Sequence, residues 1–180
     1  DLHNMVSSYL DSIDKQNLLN TNKGVLLLSY LEEIYYRQNN EGYRYRHNNT
    51  LHYVMEDHQL QKGVKDILWP SHIQKKQPGQ QIFDNNTVNV NLHDNYYTTL
   101  MYALMITSFS WQIIERLCEL GANVEQRVFR FTPVQILIET RLKTGERYKD
   151  FHKKMNILKK YGGSISRERL DDIFKAYKLP

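Results

Sequence analysis

The stretch that decides the fold is ERLCELGANVEQRVFRFTPVQ, residues 115–135. It begins in an apolar helical pattern, passes Gly121-Ala122 and a short basic and aromatic segment, and then reaches Thr132-Pro133. A glycine after a helix permits the left-handed conformation that ends it. A threonine can cap the backbone N–H groups of a new helix, and a proline fits its first turn. The stretch therefore predicts a junction in which one helix ends, the chain turns outward and another helix begins.

The same order of residues recurs, which indicates an internal repeat. The three segments that open a helix in this way are NTLHYVM at 49–55, TTLMYA at 98–103 and FTPVQIL at 131–137. Aligned on Leu51, Leu100 and Val134, they lie 49 and 34 residues apart. The apolar residues Ile113, Ile114 and Leu117 follow at helical spacing. They predict a stripe that is buried against a neighbouring pair of helices.

The repeat resembles a divergent ankyrin-repeat domain. The resemblance is carried by NTLHYV, VNVNLHDNYYTTLMYA and LGANVEQRVFRFTPVQ. The second spacing is close to the ankyrin period of about 33 residues, and the first is one period plus a long insertion. Asp94 stands where the family has its turn aspartate, while Tyr96-Tyr97 occupy the family's glycine region. The resemblance implies an all-α fold, an ankyrin-like stack of about four degenerate helix pairs including caps, with a long loop insertion.

The repeat alignment divides one domain, residues 1–180, into five parts. They are N-terminal capping helices at 1–43, a repeat with the long insertion at 44–90, repeats at 91–124 and 125–163, and a C-terminal capping helix at 164–180. The apolar pattern predicts two helices in the first part, near 2–13 and 27–34, with the second in the outer-helix position. Pro70 and Pro78 disfavour helix, so residues 69–87 are expected to lack the regular second helix of a repeat.

Composition and residue spacing do not predict catalysis. With 41% apolar and 24% charged residues, the 180-residue chain has the composition of one globular domain. The single cysteine, Cys118, lies in an apolar pattern and is expected to be a buried hydrophobe. The seven histidines are scattered without metal-ligand spacing, and His52 with Glu56 lacks the second histidine of a zinc-protease helix. We therefore expect no enzymatic activity, no cofactor, no metal and no small-molecule substrate.

The sequence also bears on the compartment. No apolar run approaches the roughly 20 residues that span a bilayer, and no signal peptide opens the chain. These features predict no membrane partner and an intracellular location, cytoplasmic or nuclear. Because the chain begins at Asp1 without a methionine, we expect it to be a segment of something longer.

The resemblance implies that partners bind at the turn tips and at the concave face formed by the first helices. It points to YRYRHN at 43–48, NYY at 95–97 and RVFRF at 127–131. Arginine and tyrosine are enriched at interface hot spots, although tyrosines also pack between repeats with their hydroxyls in water. The expected partner-binding residues are Arg44, Tyr45, Arg46, Tyr96, Tyr97, Arg127, Phe129 and Arg130. A protein of unknown identity is the expected partner, and these side chains are expected to project from one edge.

An alternative reading comes from residues 141–160, which hold eight lysines and arginines against Glu146 and Asp150. Aromatic residues interrupt this basic segment at Tyr148 and Phe151. The alternative is a nucleic-acid-binding patch, because neutralisation of phosphates by basic side chains drives such binding. Its expected members are Arg147, Lys149, Lys153 and Lys154. A segment of this composition is also compatible with an acidic protein partner or with an ordinary solvated helix face.

Overall fold

The computed structural model describes residues 2–39, 56–70, 88–145 and 148–180, with side chains from residue 21 onward. In these ranges it consists of seven α-helices, and the only β-pairing is two isolated bridges. The helices are α1 (Leu2–Asn39), α2 (Asp57–Leu68), α3 (Thr99–Met105), α4 (Trp111–Glu119), α5 (Pro133–Thr144), α6 (Phe151–Lys160) and α7 (Arg167–Ala176). The predicted all-α class is confirmed for this part of the chain.

The helices pack in two neighbouring rows. In the first row α1 packs against α3, and α3 packs against α5; in the second row α2 packs against α4, and α4 against α6. Contacts between α1 and α2, α3 and α4, and α5 and α6 join the rows pairwise. Helix α7 adjoins α5, where Nε of Arg169 donates a hydrogen bond to Oε1 of Gln135 at 3.2 Å. Each helix pair therefore covers the next one along the chain.

The core lies between the two rows. The residues that the helical stripe predicted to be buried, Ile113, Ile114 and Leu117, are all at most 4% exposed, and so are Leu100 and Ala103 of α3. This prediction is confirmed. Cys118 is also buried, as expected, and its burial raises the pKa of the thiol to about 12. A thiol with that pKa stays protonated at neutral pH and behaves as a small apolar side chain.

The predicted junction in residues 115–135 is confirmed in detail. Gly121 follows α4 with a φ of 96°, and the N–H of Ala122 donates to the carbonyl of Leu117 at 3.0 Å. This arrangement satisfies carbonyls that the end of the helix leaves unpaired. Thr132 then caps α5, and its hydroxyl accepts the backbone N–H three residues later. Thr98 and Ser166 cap α3 and α7 in the same way, so the three caps recur at intervals of 34 residues.

The N-terminal prediction is wrong in two respects. Residues 2–39 form one continuous helix rather than two, because no proline or helix-ending glycine interrupts the segment. Gly24 lies inside this helix, where an added Cβ would clash with the carbonyl oxygen of Asn89. This glycine therefore permits close packing and does not end the helix. In addition, Leu27 and Leu31 are buried on a helix that packs against both α2 and α3. The segment 27–34 therefore belongs to the row of α3, and α2 occupies the other row.

The long insertion is described only at its start. Helix α2 ends at Leu68, and Trp69 and Pro70 are not helical, as the prolines predicted. Residues 71–87 lie outside the described part of the chain, as does the predicted helix start at 49–55. In the described ranges, no helix combines the length and the apolar character that a bilayer crossing requires.

Candidate functional site

Two short turns precede α3 and α5. We call residues 93–98 the first tip and residues 127–131 the second tip. Antiparallel bridges close them, between His93 and Thr98 and between Val128 and Phe131. In the second tip the bridged residues exchange both backbone hydrogen bonds, at 3.2 and 3.1 Å, which leaves a two-residue loop of Phe129 and Arg130.

The first tip is organised by the carboxylate of Asp94. Its Oδ1 accepts the backbone N–H groups of Tyr96 and Tyr97 at 2.7 and 2.8 Å. Its Oδ2 accepts the hydroxyl of Tyr102, which is fully buried on α3. Burial first, and then the hydrogen bond to Asp94, raise the pKa of this hydroxyl far above its usual value. Asp94 therefore forms the turn and fixes it to α3.

The two tips present an exposed aromatic pair. The rings of Tyr96 and Phe129 lie with centroids 6.2 Å apart, and these residues are 48% and 70% exposed. Phe129 also has a φ of 56°, a left-handed conformation that is unfavourable by about 1 kcal/mol for a residue with a Cβ. A large apolar ring held exposed on a strained backbone does not stabilise the free chain, and such features occur at binding sites.

Two arginines flank Phe129. Arg127 and Arg130 are exposed, and neither forms a hydrogen bond or ion pair in the structure as described. A free guanidinium can donate two parallel hydrogen bonds to a carboxylate. The second tip therefore combines an apolar surface with two cationic groups that have no internal carboxylate.

The other four residues of the expected partner-binding set are either half-buried or outside the described residues. Tyr97 is half-buried, with its ring centroid 5.3 Å from that of Tyr102 and 6.2 Å from that of Tyr35. Its expected exposure is wrong, because the Asp94 turn directs its ring onto α1 and α3. Arg44, Tyr45 and Arg46 lie outside the described residues. Of the eight, the structure brings Tyr96, Arg127, Phe129 and Arg130 together in an exposed position.

The predicted basic patch does not form one surface. Lys154 is 0% exposed, and its Nζ lies 4.6 Å from the centroid of the Tyr148 ring without a hydrogen-bond partner. It lies on the α6 face that is buried with Leu158, whereas Lys153 is exposed, because adjacent helical residues point about 100° apart. Lys149 is exposed too, and Arg147 lies outside the described residues. Among the described members, only two contribute to the surface.

Burial makes Lys154 chemically unusual. Desolvation lowers the pKa of its ammonium group to about 8, although the Asp150 carboxylate acts in the opposite direction. Sequence reasoning missed this because it treated every lysine as solvated. The available signal was the position of Lys154 on a helical stripe, three residues after Phe151 and four before Leu158.

An open groove of about 530 Å³ lies between the second tip and α7. We call it the tip groove. Arg127, Phe129 and Arg130 line it from the second tip, and Glu168 and Asp172 line it from α7. The groove exists because the connection before α7 is shorter than the connection before α5. Nine residues separate Ala122 from Thr132, but only two separate Gly163 from Ser166, so no third tip precedes α7. This shortening is visible in the sequence, although its consequence was not predicted.

The described residues contain no group of three histidine, cysteine or carboxylate side chains that could hold a metal ion. Comparison of the chain with family models, curated proteins and solved structures gives no match. Function must therefore be argued from the tips and the tip groove themselves.

Proposed function

We propose that this chain is a non-catalytic protein-interaction module, an ankyrin-like stack that binds a protein partner through its tips. The architecture supports the ankyrin-like part of the proposal. Helix pairs contact their neighbours in two rows, and bridged tips precede the first-row helices α3 and α5. Side-chain caps recur every 34 residues, close to the ankyrin period of about 33. In such repeats each unit buries a surface that it cannot bury alone.

The observation that carries the binding proposal is the exposed Tyr96–Phe129 pair beside two unpaired arginines. Aromatic and arginine side chains dominate the energetics of many protein interfaces, because they bring a large contact area together with directional polar groups. The left-handed backbone conformation of Phe129 also supports the proposal. Glycine would fit that backbone without strain, so an aromatic residue at this position carries a strain that glycine would avoid.

A capture experiment tests the proposal. The immobilised chain is incubated with native lysate, and retained proteins are identified by mass spectrometry. We expect the double substitution Arg127→Ala with Phe129→Ala to lose a protein that the unaltered chain retains, while its thermal midpoint changes little. The matched control is Lys149→Glu with Lys153→Glu, which alters exposed cations away from the tips.

The result can also favour the nucleic-acid alternative. If the tip variant retains every partner and the lysine variant loses one, the tips are not the binding surface. If that lost ligand is DNA or RNA whose affinity falls steeply with salt, the basic segment is the functional one. Burial of Lys154 weakens this alternative, because it removes one of the expected phosphate-contacting residues from the surface.

A further inference from the structure

The tip groove occupies the side of the second tip on which another tip would pack. On its other side, the second tip contacts the first through the Tyr96 and Phe129 rings. The absence of a third tip leaves the groove side open, with a volume of about 530 Å³. That volume lies in the range of pockets that take small ligands, about 300 to 1,000 Å³. The groove can therefore hold several side chains of a peptide, but not a folded domain.

Two charged residues that line the groove, Glu125 and Arg169, already make internal hydrogen bonds. Oε1 of Glu125 accepts the backbone N–H of Ser164 at 2.7 Å. The guanidinium of Arg169 donates to the side chain of Gln135 at 3.2 Å. These contacts fix α7 relative to the second tip. They leave the outer charged groups of the groove to interact with something else.

Apart from Glu125 and Arg169, the charged residues on the two walls of the groove have opposite signs. Arg127 and Arg130 lie on the tip wall, and Glu168 and Asp172 lie on the α7 wall. None of these four side chains has a hydrogen bond or ion pair in the described part of the chain. The charges of the two walls are therefore not paired with each other. A complementary occupant needs a carboxylate toward the tip and a cationic group toward α7.

We infer that the tip groove binds an extended segment of a protein partner, with an aromatic residue next to an acidic residue and a basic one. The inference rests on the proposed function and specifies the chemistry of the partner. Successive side chains of an extended segment point to opposite sides, so one segment can direct its acidic and basic groups to opposite walls. Its aromatic ring packs on the exposed face of Phe129. A polyanion is disfavoured because Glu168 and Asp172 repel it.

The inference is tested with a phage-displayed library of random linear heptapeptides, selected on the immobilised chain. We expect the selected sequences to be enriched in an aromatic residue with an acidic and a basic residue nearby. The affinity of a selected peptide, labelled with fluorescein, is then measured by anisotropy. Arg127→Ala and Asp172→Lys should each weaken it about tenfold or more, as expected for loss of a charge-assisted contact.

Two control variants alter exposed cations that lie outside the groove and outside both tips. Lys149→Ala and Lys153→Ala should each change peptide affinity less than about threefold. Arg127 and Lys149 are also changed in the lysate capture, so the two experiments can be compared at these positions. The thermal midpoint of each variant shows whether it is folded. Selected peptides that lack the charged residues, or that bind Asp172→Lys unchanged, would overturn the inference.

Failure of the inference differs from failure of the proposed function. If no peptide is selected, but a captured protein depends on Tyr96 and Phe129, the groove inference is wrong and the tips remain the binding surface. If neither a peptide nor a protein depends on Phe129, both are wrong. A selected peptide that depends on Arg127 and Asp172 supports both.

Discussion

Replacement of Lys154 by methionine should stabilise the chain at neutral pH. Methionine has similar length and flexibility but carries no charge, so it fills the same buried space without an unsatisfied ammonium group. A pKa lowered from 10.5 to about 8 corresponds to about 3.5 kcal/mol as an upper bound, at about 1.4 kcal/mol per pKa unit. The contact between Nζ and the Tyr148 ring offsets part of the burial penalty and is lost in the variant. We therefore expect Lys154→Met to raise the free energy of unfolding by about 1 to 3 kcal/mol at pH 7.

The gain should depend on pH in a defined direction. Below pH 8 both the folded and the unfolded states carry the Lys154 proton, so the folded state bears the full penalty. Between about 8 and 10.5 the unfolded state binds this proton more strongly, so the stability contributed at Lys154 rises with pH. The advantage of the methionine variant should be constant up to about pH 8 and then shrink. Raised pKa values at Cys118 and Tyr102 act in the opposite direction, but they are common to both proteins and cancel in the difference.

Urea unfolding followed by far-UV circular dichroism at pH 7, 8, 9 and 10 measures this difference. The matched control is Lys153→Met, because Lys153 is the neighbouring residue on α6 and is exposed. Its effect should stay within about 0.5 kcal/mol at every pH. The reasoning is refuted if Lys154→Met is less stable than the parent at pH 7, or if its advantage is independent of pH. Either result would show that other contacts fully offset the burial penalty of the ammonium group.

Three further substitutions test other parts of the structure by urea unfolding. Leu117→Ala truncates a fully buried side chain and should lower stability by about 2 to 5 kcal/mol; a loss below 1 kcal/mol would contradict its burial. Phe129→Gly should be more stable than Phe129→Ala by about 1 kcal/mol, because only glycine tolerates the φ of 56° without strain. Asp94→Ala removes the acceptor of the buried Tyr102 hydroxyl and should cost about 1 to 3 kcal/mol. In the Tyr102→Phe background that loss of stability should be smaller. An equal loss would show that Asp94 stabilises the chain through contacts other than the one with the Tyr102 hydroxyl.

The junctions were predictable because their chemistry is local. A threonine cap accepts an N–H three residues away, and the N–H of Gly121 donates to the carbonyl of Cys118, also three residues away. Both are encoded within a few residues of the sequence. The buried stripe of α4 was predictable for the same reason, since helical periodicity alone identifies the apolar face. The exposed positions of Phe129 and Arg130 also followed from a short turn.

The row to which α1 belongs was not predictable in this way. Periodicity shows that Leu27 and Leu31 are buried, but not which helices bury them. The prediction placed the segment by counting a fixed number of residues back from the next helix start, which assumes a regular connection. The structure instead packs 27–34 beside α3 through Gly24, whose backbone closely approaches Asn89. Such a contact depends on residues far apart in sequence.

The departures from a regular repeat determine the chemistry of both unusual sites. The segment before α6 brings Tyr148 into the core, where its hydroxyl donates to the carbonyl of Leu104 and its ring lies over Lys154. The short connection before α7 has the opposite effect, since it removes a neighbour from Arg127 and Arg130 and leaves them in an open groove. One change buries a charge and the other exposes two. Counting charges along the sequence cannot distinguish these outcomes, because the solvation of each charge depends on the length of a connection elsewhere in the chain.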